Sequence, residues 1–354
     1  MFLALREIRH QPTKFALIVA VIALVSYLTF FLAALAGGLA HSYRSAVDGW
    51  RATSIVLTQA SNDNVSASRL SGEQVAAVPT SPETSTLLTT PVVLEDAGGT
   101  KLDASAFGLP DGSFLTPALV EGEAPTDPDR QVIADDSLKD EGWEVGQTFT
   151  LTGSDHQWEV TGFAHDQSFQ ALPVVFFQEG ALVDNGPSSV APTPNAVVSR
   201  ADLTGESALA DAGLEVLDSS DFVNTLPGYT AQVLTFSLMI GSLIVIASFV
   251  LGIFIYVLTL QKRPVLGILK ARGVPTGYLI VSGAVQTALL SAVGVAVGLA
   301  LTLVSALLLP RAVPFRVDAL MDAAITAAFV LFAVLGGLTS VRVVSRIDPV
   351  EAIS

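Results

Sequence analysis

The stretch that decides the fold is QKRPVLGILKARGVPTGY, residues 261–278. It holds no acidic side chain and four basic ones: Lys262, Arg263, Lys270 and Arg272. The flanking residues 231–261 and 273–310 contain no Asp, Glu, Lys, Arg or His. Each flank is long enough to cross a hydrocarbon core of about 30 Å. A basic island between two such runs is typical of a cytoplasmic loop in a membrane protein.

Composition agrees with a membrane protein that has a soluble part. Of the 354 residues 51% are hydrophobic and 14% are charged, and the mean hydropathy is +0.57. Residues 41–228 hold 28 acidic and 7 basic side chains, whereas the rest of the chain is net positive. An acidic domain lacks the clustered Lys and Arg that nucleic acid requires. The absence of Cys excludes disulfides and zinc–thiolate sites.

The pattern predicts four transmembrane α-helices with one large α+β extracytoplasmic domain inserted between spans 1 and 2. The predicted segments follow in chain order: interfacial helix 1–14, span 15–40, outer domain 41–228, long span and stalk 229–261, cytoplasmic loop or helix 262–277, span 278–309, outer loop 310–318, span 319–341 and cytoplasmic tail 342–354. Residues 15–39 carry no charge, which is longer than the apolar core of a signal peptide and favours an uncleaved span. A frayed basic terminus is the alternative for residues 1–14.

The outer domain has the short β-prone runs and turn residues of an α+β fold. The predicted strands are 54–58, 90–95, 131–135, 147–153, 157–164 and 173–178. Helices are predicted at 71–78, where Ser71 and Gln74 suggest a capping box, and at 202–212. Residues 184–194 are predicted to be an exposed loop. The acid pairs Asp135-Asp136 and Asp140-Glu141 are interpreted as a solvated face rather than as acid–base groups.

The sequence carries no recognisable catalytic motif. No G-x-x-x-x-G-K-[ST] occurs, so no nucleotide site is expected, and the hydrolase motif G-x-S-x-G is absent too. The four histidines show no H-x-x-x-H pair for zinc. The chain is therefore predicted not to be an enzyme, and no intrinsic cofactor or metal is expected.

Several segments together resemble one family. The basic stretch 261–279 is similar to the segment of MacB/FtsX-type ABC transporter permeases that contacts the ATPase subunit. The tail RVVSRIDPVEAIS and the segment QVIADDSLKDEGWEVGQTFTLTG resemble parts of the same family, as does the order of spans and outer domain. The first 50 residues are similar to those of haem-exporting permeases within that superfamily.

This resemblance implies a set of partners and a mechanism. A homodimer of the permease would work with two ATPase subunits, which bind ATP and Mg²⁺, in the bacterial cytoplasmic membrane with both termini cytoplasmic. The ATPases would push on the loop by mechanotransmission, and no nucleic acid would be involved. The residues expected to couple are Lys262, Arg263, Leu266, Lys270 and Arg272.

For haem as substrate, aromatic faces and iron ligands are hypothesised near the outer leaflet. Tyr229, Met239 and His41 are candidate ligands, because tyrosine, methionine and histidine all serve as axial ligands. Phe30 and Phe236 would stack on the porphyrin, and Arg311 or Arg316 would pair with a propionate. The structural alternatives are an interfacial anchor for Tyr229, packing for Met239 and the phenylalanines, and solvated or headgroup contacts for His41 and Arg311.

Two other functions stay open at this point. An FtsX-like signal transmitter would control a cell-wall hydrolase through the outer domain and would move no substrate. A permease of the same superfamily that exports lipid or peptide is the other alternative. Stimulation of ATP hydrolysis by substrate separates export from signalling.

Overall fold

The structure, a computed structural model, describes residues 12–261, 263–310 and 313–345. Residues 1–11 of the predicted interfacial helix, Lys262, Arg311 and residues 346–354 of the tail lie outside this range. The described chain forms two compact units. One consists of the described parts of residues 1–38 and 234–354, and the other is residues 39–233.

The first unit is built from long apolar helices. Its helices are α1 (Pro12–Trp50), α6 (Tyr229–Gln261), α7 (Arg263–Ala271), α8 (Thr276–Leu308) and α9 (Ala319–Ser345). Residues 39–50 of α1 and 229–233 of α6 belong to the second unit. Three stretches of described residues are long and apolar enough to cross a membrane: Phe15–Trp50, Tyr229–Gln261 and Thr276–Leu308. A shorter apolar stretch, Ala319–Phe332, lies in α9.

The first helix is longer than the sequence pattern suggests. The apolar run ends near residue 39, but α1 continues through His41 to Trp50, a length of about 58 Å. Ala46, Val47 and Trp50 are buried in the core of the second unit, so tertiary packing extends the helix past its charged residues.

The second unit is an eleven-stranded, mostly antiparallel sheet with short helices. The strands are β1 (Ser54–Thr58), β2 (Thr84–Asp96), β3 (Lys101–Leu109), β4 (Leu119–Gly122), β5 (Gln131–Asp135), β6 (Thr148–Leu151), β7 (Gln157–Ala164), β8 (Ser168–Phe169), β9 (Leu172–Gln178), β10 (Ala196–Ser199) and β11 (Leu214–Asp218). The helices are α2 (Gly72–Ala77), α3 (Glu179–Asn185), α4 (Ser207–Asp211) and α5 (Ser219–Thr225).

The strand order is β11-β1-β10-β2-β3-β9-β5-β7-β4, with β6 beside β2 and β7, and β8 beside β9. Most pairs are antiparallel, whereas β3–β9 and β5–β7 are parallel. Alternate side chains of β3 enter two different cores, because successive residues of a strand point to opposite faces. Phe107 packs with Trp50 and Phe176 on one face, and Ala106 packs with Trp158 and Phe177 on the other.

Most sequence predictions for this unit are confirmed. The predicted strands 54–58, 131–135 and 157–164 coincide with β1, β5 and β7. Ser71 caps α2 in a capping box with Gln74. The helix predicted at 202–212 is wrong for its first half, because the side chain of Asp202 accepts hydrogen bonds from Thr204 and forms a turn, and only Ser207–Asp211 is helical. The loop predicted at 184–194 begins later, since α3 ends at Asn185.

Candidate functional site

The basic stretch that opened the sequence analysis is a short helix with a defined end. Gly273 follows α7 with a φ of +87°, a left-handed conformation that suits glycine. Its backbone N–H donates to the carbonyl of Lys270 at 2.9 Å, and Val274 N–H donates to that of Leu269 at 3.1 Å. These bonds satisfy the last carbonyls of α7. Pro275 then precedes α8, so the chain turns from one helix into the next within a few residues.

The α7 helix is amphipathic and leaves apolar side chains uncovered. Val265 and Ile268 are exposed, Gly267 is buried, Lys270 is half-buried, and Arg272, just beyond the helix, is exposed. Arg263 and Leu266 lie in the helix, and their side chains are outside the described set. Of the predicted coupling residues, only Lys270 and Arg272 have described side chains. The exposed Val265 and Ile268 of the same helix were not singled out by the sequence analysis.

Helix α6 presents apolar side chains along most of its length. No residue in its most apolar window is buried. Met239 is 48% exposed and Phe249 is 71% exposed, while Phe236 is half-buried. Such a surface is suited to lipid, a substrate or another protein chain.

Helices α1 and α8 are in close contact through small residues. A Cβ at Gly298 would lie 2.7 Å from the backbone nitrogen of Tyr27, and one at Gly294 would lie 2.6 Å from Cγ2 of Ile22. Hydroxyl hydrogen bonds also join the helices: the hydroxyls of Tyr27 and Ser305 are 3.0 Å apart, and that of Thr302 donates to the carbonyl of Tyr27 at 3.4 Å. Glycines four residues apart allow this approach in a membrane helix pair.

The segment before α9 also packs on α1. Arg316 N–H donates to the carbonyl of Ala34 at 3.0 Å, and the rings of Phe31 and Phe315 are 5.2 Å apart. A Cβ at Gly38 would lie 2.8 Å from the nitrogen of Phe315. Residues 314–316 of the predicted outer loop are therefore packed against α1.

A small cavity lies among α1, α6, α8 and α9. Its volume is about 10 Å³, and its walls are apolar apart from Ser248 and Ser291. A space of this size holds one water at most. Phe30, a predicted stacking residue, is fully buried in the adjoining core. This cavity has no room for a porphyrin.

Ser291 is a residue that the sequence analysis missed. Its hydroxyl is buried, lines the cavity and has no hydrogen-bond partner among the described residues. Its spacing from Thr287, Gly294 and Gly298 along one face of α8 is the only sequence signal for it.

Two predicted haem ligands, Tyr229 and His41, lie in the second unit and are already engaged there. Tyr229 is 9% exposed, belongs to the main core and has its ring 6.0 Å from that of Tyr43. His41 Nε2 lies 2.5 Å from Oδ2 of Asp166. Tyr229 is thus a core residue at the start of α6, and His41 is held in an ion-pair position.

The loop that contains Asp166 forms several hydrogen bonds with α1. Gln170 N–H donates to the carbonyl of Tyr43 at 3.0 Å, and Ala171 N–H donates to that of Ser42 at 3.1 Å. Asp166, Gln170 and Ala171 all have positive φ, which is uncommon for residues other than glycine. The contacts with α1 hold this segment in a strained conformation.

From the sequence, Asp135 is interpreted as part of a solvated face, and for this residue the interpretation is wrong. Its side chain is 1% exposed and accepts backbone N–H bonds from Ser137 at 2.7 Å and Gln167 at 2.5 Å. Burial raises the pKa of this carboxyl above its usual range. Asp135 therefore caps the turn after β5 and fixes the Asp166 loop, which is a structural role.

We expect His165 to titrate above its usual pKa. Asp136 Oδ2 lies 2.7 Å from its Nδ1, and this hydrogen bond raises the pKa of the imidazole above 6.5. Because the folded-state pKa is the higher one, the pair stabilises the fold at low pH and loses that contribution as pH rises through the raised pKa. A histidine NMR titration checks this: Asp136→Asn lowers the midpoint, and Asp111→Asn, at an exposed site elsewhere, leaves it unchanged.

An equal midpoint in the wild type and in Asp136→Asn would contradict the assignment. The effect on global stability is small, since the His165 side chain is 72% exposed. Among the described residues, no group of three or more His, Asp or Glu is placed to hold a metal ion.

Comparison with known proteins finds a family match in the C-terminal part of the chain. Residues 237–349 match the family described as FtsX-like permease C-terminal, and this range includes all of α7, α8 and α9 and most of α6. This part of the chain is therefore similar to the C-terminal domain of FtsX-like permeases.

Individual relatives extend the match to the whole chain. The chain is 26% identical to the "Putative hemin transport system permease protein HrtB" of Staphylococcus haemolyticus, over 100% of this chain and 99% of that protein. The protein of the same name from Staphylococcus epidermidis is 24% identical, again over 100% and 99%. The periplasmic region of MacB from Actinobacillus actinomycetemcomitans superimposes with a TM-score of 0.36 and 13% identity, over 49% of this chain and 92% of that one.

Proposed function

We propose that the chain is the non-catalytic permease subunit of an ABC efflux transporter that removes haem from the bacterial cytoplasmic membrane. The observation that carries the proposal is the full-length similarity to proteins named as hemin transport permeases. The lack of a nucleotide motif means that a separate ATPase must supply the energy.

In this proposal two copies of the chain assemble with two ATPase subunits. Each copy crosses the membrane four times, through α1, α6, α8 and α9, with both termini in the cytoplasm. Helix α7 and its flanking residues 262–277 receive the movement of the ATPase. Helix α6 can pass on that movement as a rod, because its backbone hydrogen bonds are internal.

The positions of the candidate residues favour some haem contacts over others. The cavity of about 10 Å³ within the helix core is too small, and Phe30 is buried beside it. Tyr229 is a core residue and His41 is engaged by Asp166. Haem would therefore lie against the uncovered surface of α6, where Met239 is exposed and Phe236 is half-exposed. Arg311 stays a candidate for the propionates.

The proposal predicts that haem stimulates ATP hydrolysis by the complex and that Met239 contributes to its affinity. We expect Met239→Ala to weaken haem binding about tenfold, the loss of roughly 1.4 kcal/mol from one axial ligand. The measurements are haem titration by absorbance and ATP hydrolysis by the purified complex in lipid. Leu238→Ala is the matched control, since Leu238 is exposed at the next position of α6.

The same assay separates the alternatives. Stimulation by phospholipid or peptide instead of haem indicates a permease for that substrate. Hydrolysis that responds to none of the three contradicts export and favours the signal transmitter. A spectrum of bound haem that is unchanged when Tyr229, Met239 and His41 are all replaced would remove these three residues as ligands.

A further inference from the structure

The outer domain has a cavity of about 440 Å³ on the open face of its sheet. The lining residues come from three strands and two loops: Pro91, Val92, Val93, Asp103, Thr152, Leu172, Pro187 and Ser189. The volume falls within the range of small-molecule sites, which is about 300–1,000 Å³. All of these lining residues belong to the second unit.

The floor of the cavity is formed by β2 and β3, on the same face that packs into a hydrophobic core farther along these strands. Val93 pairs with Asp103 in the β2–β3 register, so the two side chains share one face. Their neighbours Leu94 and Ala104 point the opposite way into the Trp158 core. Farther along the same face, Leu87, Phe107 and Phe176 are buried by the end of α1. The end of α1 does not cover Pro91, which is exposed, or Val93, which is partly buried.

The wall of the cavity is held in place by local contacts. Thr152 N–H donates to the carbonyl of Val93 at 2.9 Å, which ties the β6 turn to β2. The hydroxyl of Ser154 donates to the carbonyl of Asn185 at 2.6 Å, which ties that turn to the segment with Pro187 and Ser189. The concave shape is thus built from fixed backbone.

The charges around the cavity indicate which class of ligand it would bind. Asp103 is exposed, and among the described residues its carboxylate has no hydrogen-bond or ion-pair partner. The nearest cation on the same strand face, Lys101, is paired with Glu95 at 3.4 Å. The surrounding residues 41–228 carry 28 acidic and 7 basic side chains, so the field favours a cation.

We propose that this cavity binds an amphipathic cation, an ammonium group on an apolar body, with the charge at Asp103 and the body on Pro91, Val93 and Leu172. The hydroxyls of Thr152 and Ser189 can accept from the remaining N–H groups. This site is independent of the haem proposal, because haem carries anionic propionates and the cavity offers a carboxylate.

The test uses the full-length protein in lipid nanodiscs and dansylcadaverine, a primary ammonium with an aromatic body, followed by fluorescence anisotropy. We expect saturable binding that Asp103→Asn weakens about tenfold, the loss of one charge-assisted hydrogen bond. Asp111→Asn, at another exposed carboxylate, leaves the affinity unchanged. The N-acetylated, uncharged form of the probe binds about tenfold more weakly to the wild type.

A second pair of variants tests the cavity itself. Ser189→Trp fills the space and abolishes binding, whereas Ser188→Trp, an exposed neighbour that does not line the cavity, does not. Competition by hexylammonium identifies a free amine as ligand, and competition by a lysine tripeptide identifies a peptide side chain. No saturable binding, equal affinity in Asp103→Asn, or no effect of Ser189→Trp would each overturn the proposal, whatever haem does to ATP hydrolysis.

Discussion

Replacing Gly298 with leucine is expected to lower the free energy of unfolding of the first unit by about 3 kcal/mol. This is at the upper end of the typical cost of overpacking. The new side chain would begin 2.7 Å from the backbone nitrogen of Tyr27, and a helix backbone cannot move aside without breaking its own bonds. The measurement is the thermal unfolding midpoint of the purified protein in detergent, together with its elution profile.

Gly283→Leu is the matched control for this effect. Gly283 lies on the same helix, and a Cβ there would meet nothing within 4 Å. The two variants change helix propensity and hydrophobicity equally, so the difference between them isolates the contact of α8 with α1. Equal unfolding midpoints for the two variants would show that this contact does not stabilise the unit.

Reversing the charge of Lys270 and Arg272 to glutamate is expected to reduce recovery of the ATPase with the permease by at least about tenfold. Like charges at a contact cost several kcal/mol. Lys270 lies in the last turn of α7 and Arg272 just beyond it, within the stretch expected to contact the ATPase. The measurement is co-purification from cells that express both subunits, followed by ATP hydrolysis of whatever complex is recovered.

The control carries the same change of charge far from α7 in sequence. Arg69→Glu with Lys101→Glu alters two exposed basic residues of the outer domain. Full recovery of the ATPase with the Lys270 and Arg272 variant would mean that these charges only orient the loop in the membrane. Loss of recovery in both variants would point to a general effect of added negative charge.

The local pattern of the sequence was a good guide to individual elements. Apolar runs without charge predicted the long helices, and β-prone runs between turn residues predicted β1, β5 and β7 at their observed bounds. It missed β3, β4, β8, β10 and β11. The strands β10 and β11 are short, and they are held by β1 as a long-range partner rather than by their own composition.

The candidate sites were less predictable than the elements. His41 and Tyr229 were chosen by residue type and position near a span, but folding buries the tyrosine and pairs the histidine with Asp166, 125 residues away. From the sequence, Asp135 is interpreted as one of several surface acids. It is buried because the 165–167 segment packs against it, with Gln167 N–H donating to its carboxylate. The cavity around Asp103 joins residues from positions 91 to 189 that share no motif.

The sequence by itself determined which segments are apolar enough for a membrane, where the basic α7 interrupts them, and that the large acidic insert forms strands. These properties depend on the composition and periodicity of neighbouring residues. Tertiary structure alone decided that α1 runs on to Trp50, that Gly298 meets Tyr27, and which polar groups are buried or left open. Those outcomes depend on contacts between residues far apart in the chain, and burial, which sets their chemistry, exists only once those contacts have formed.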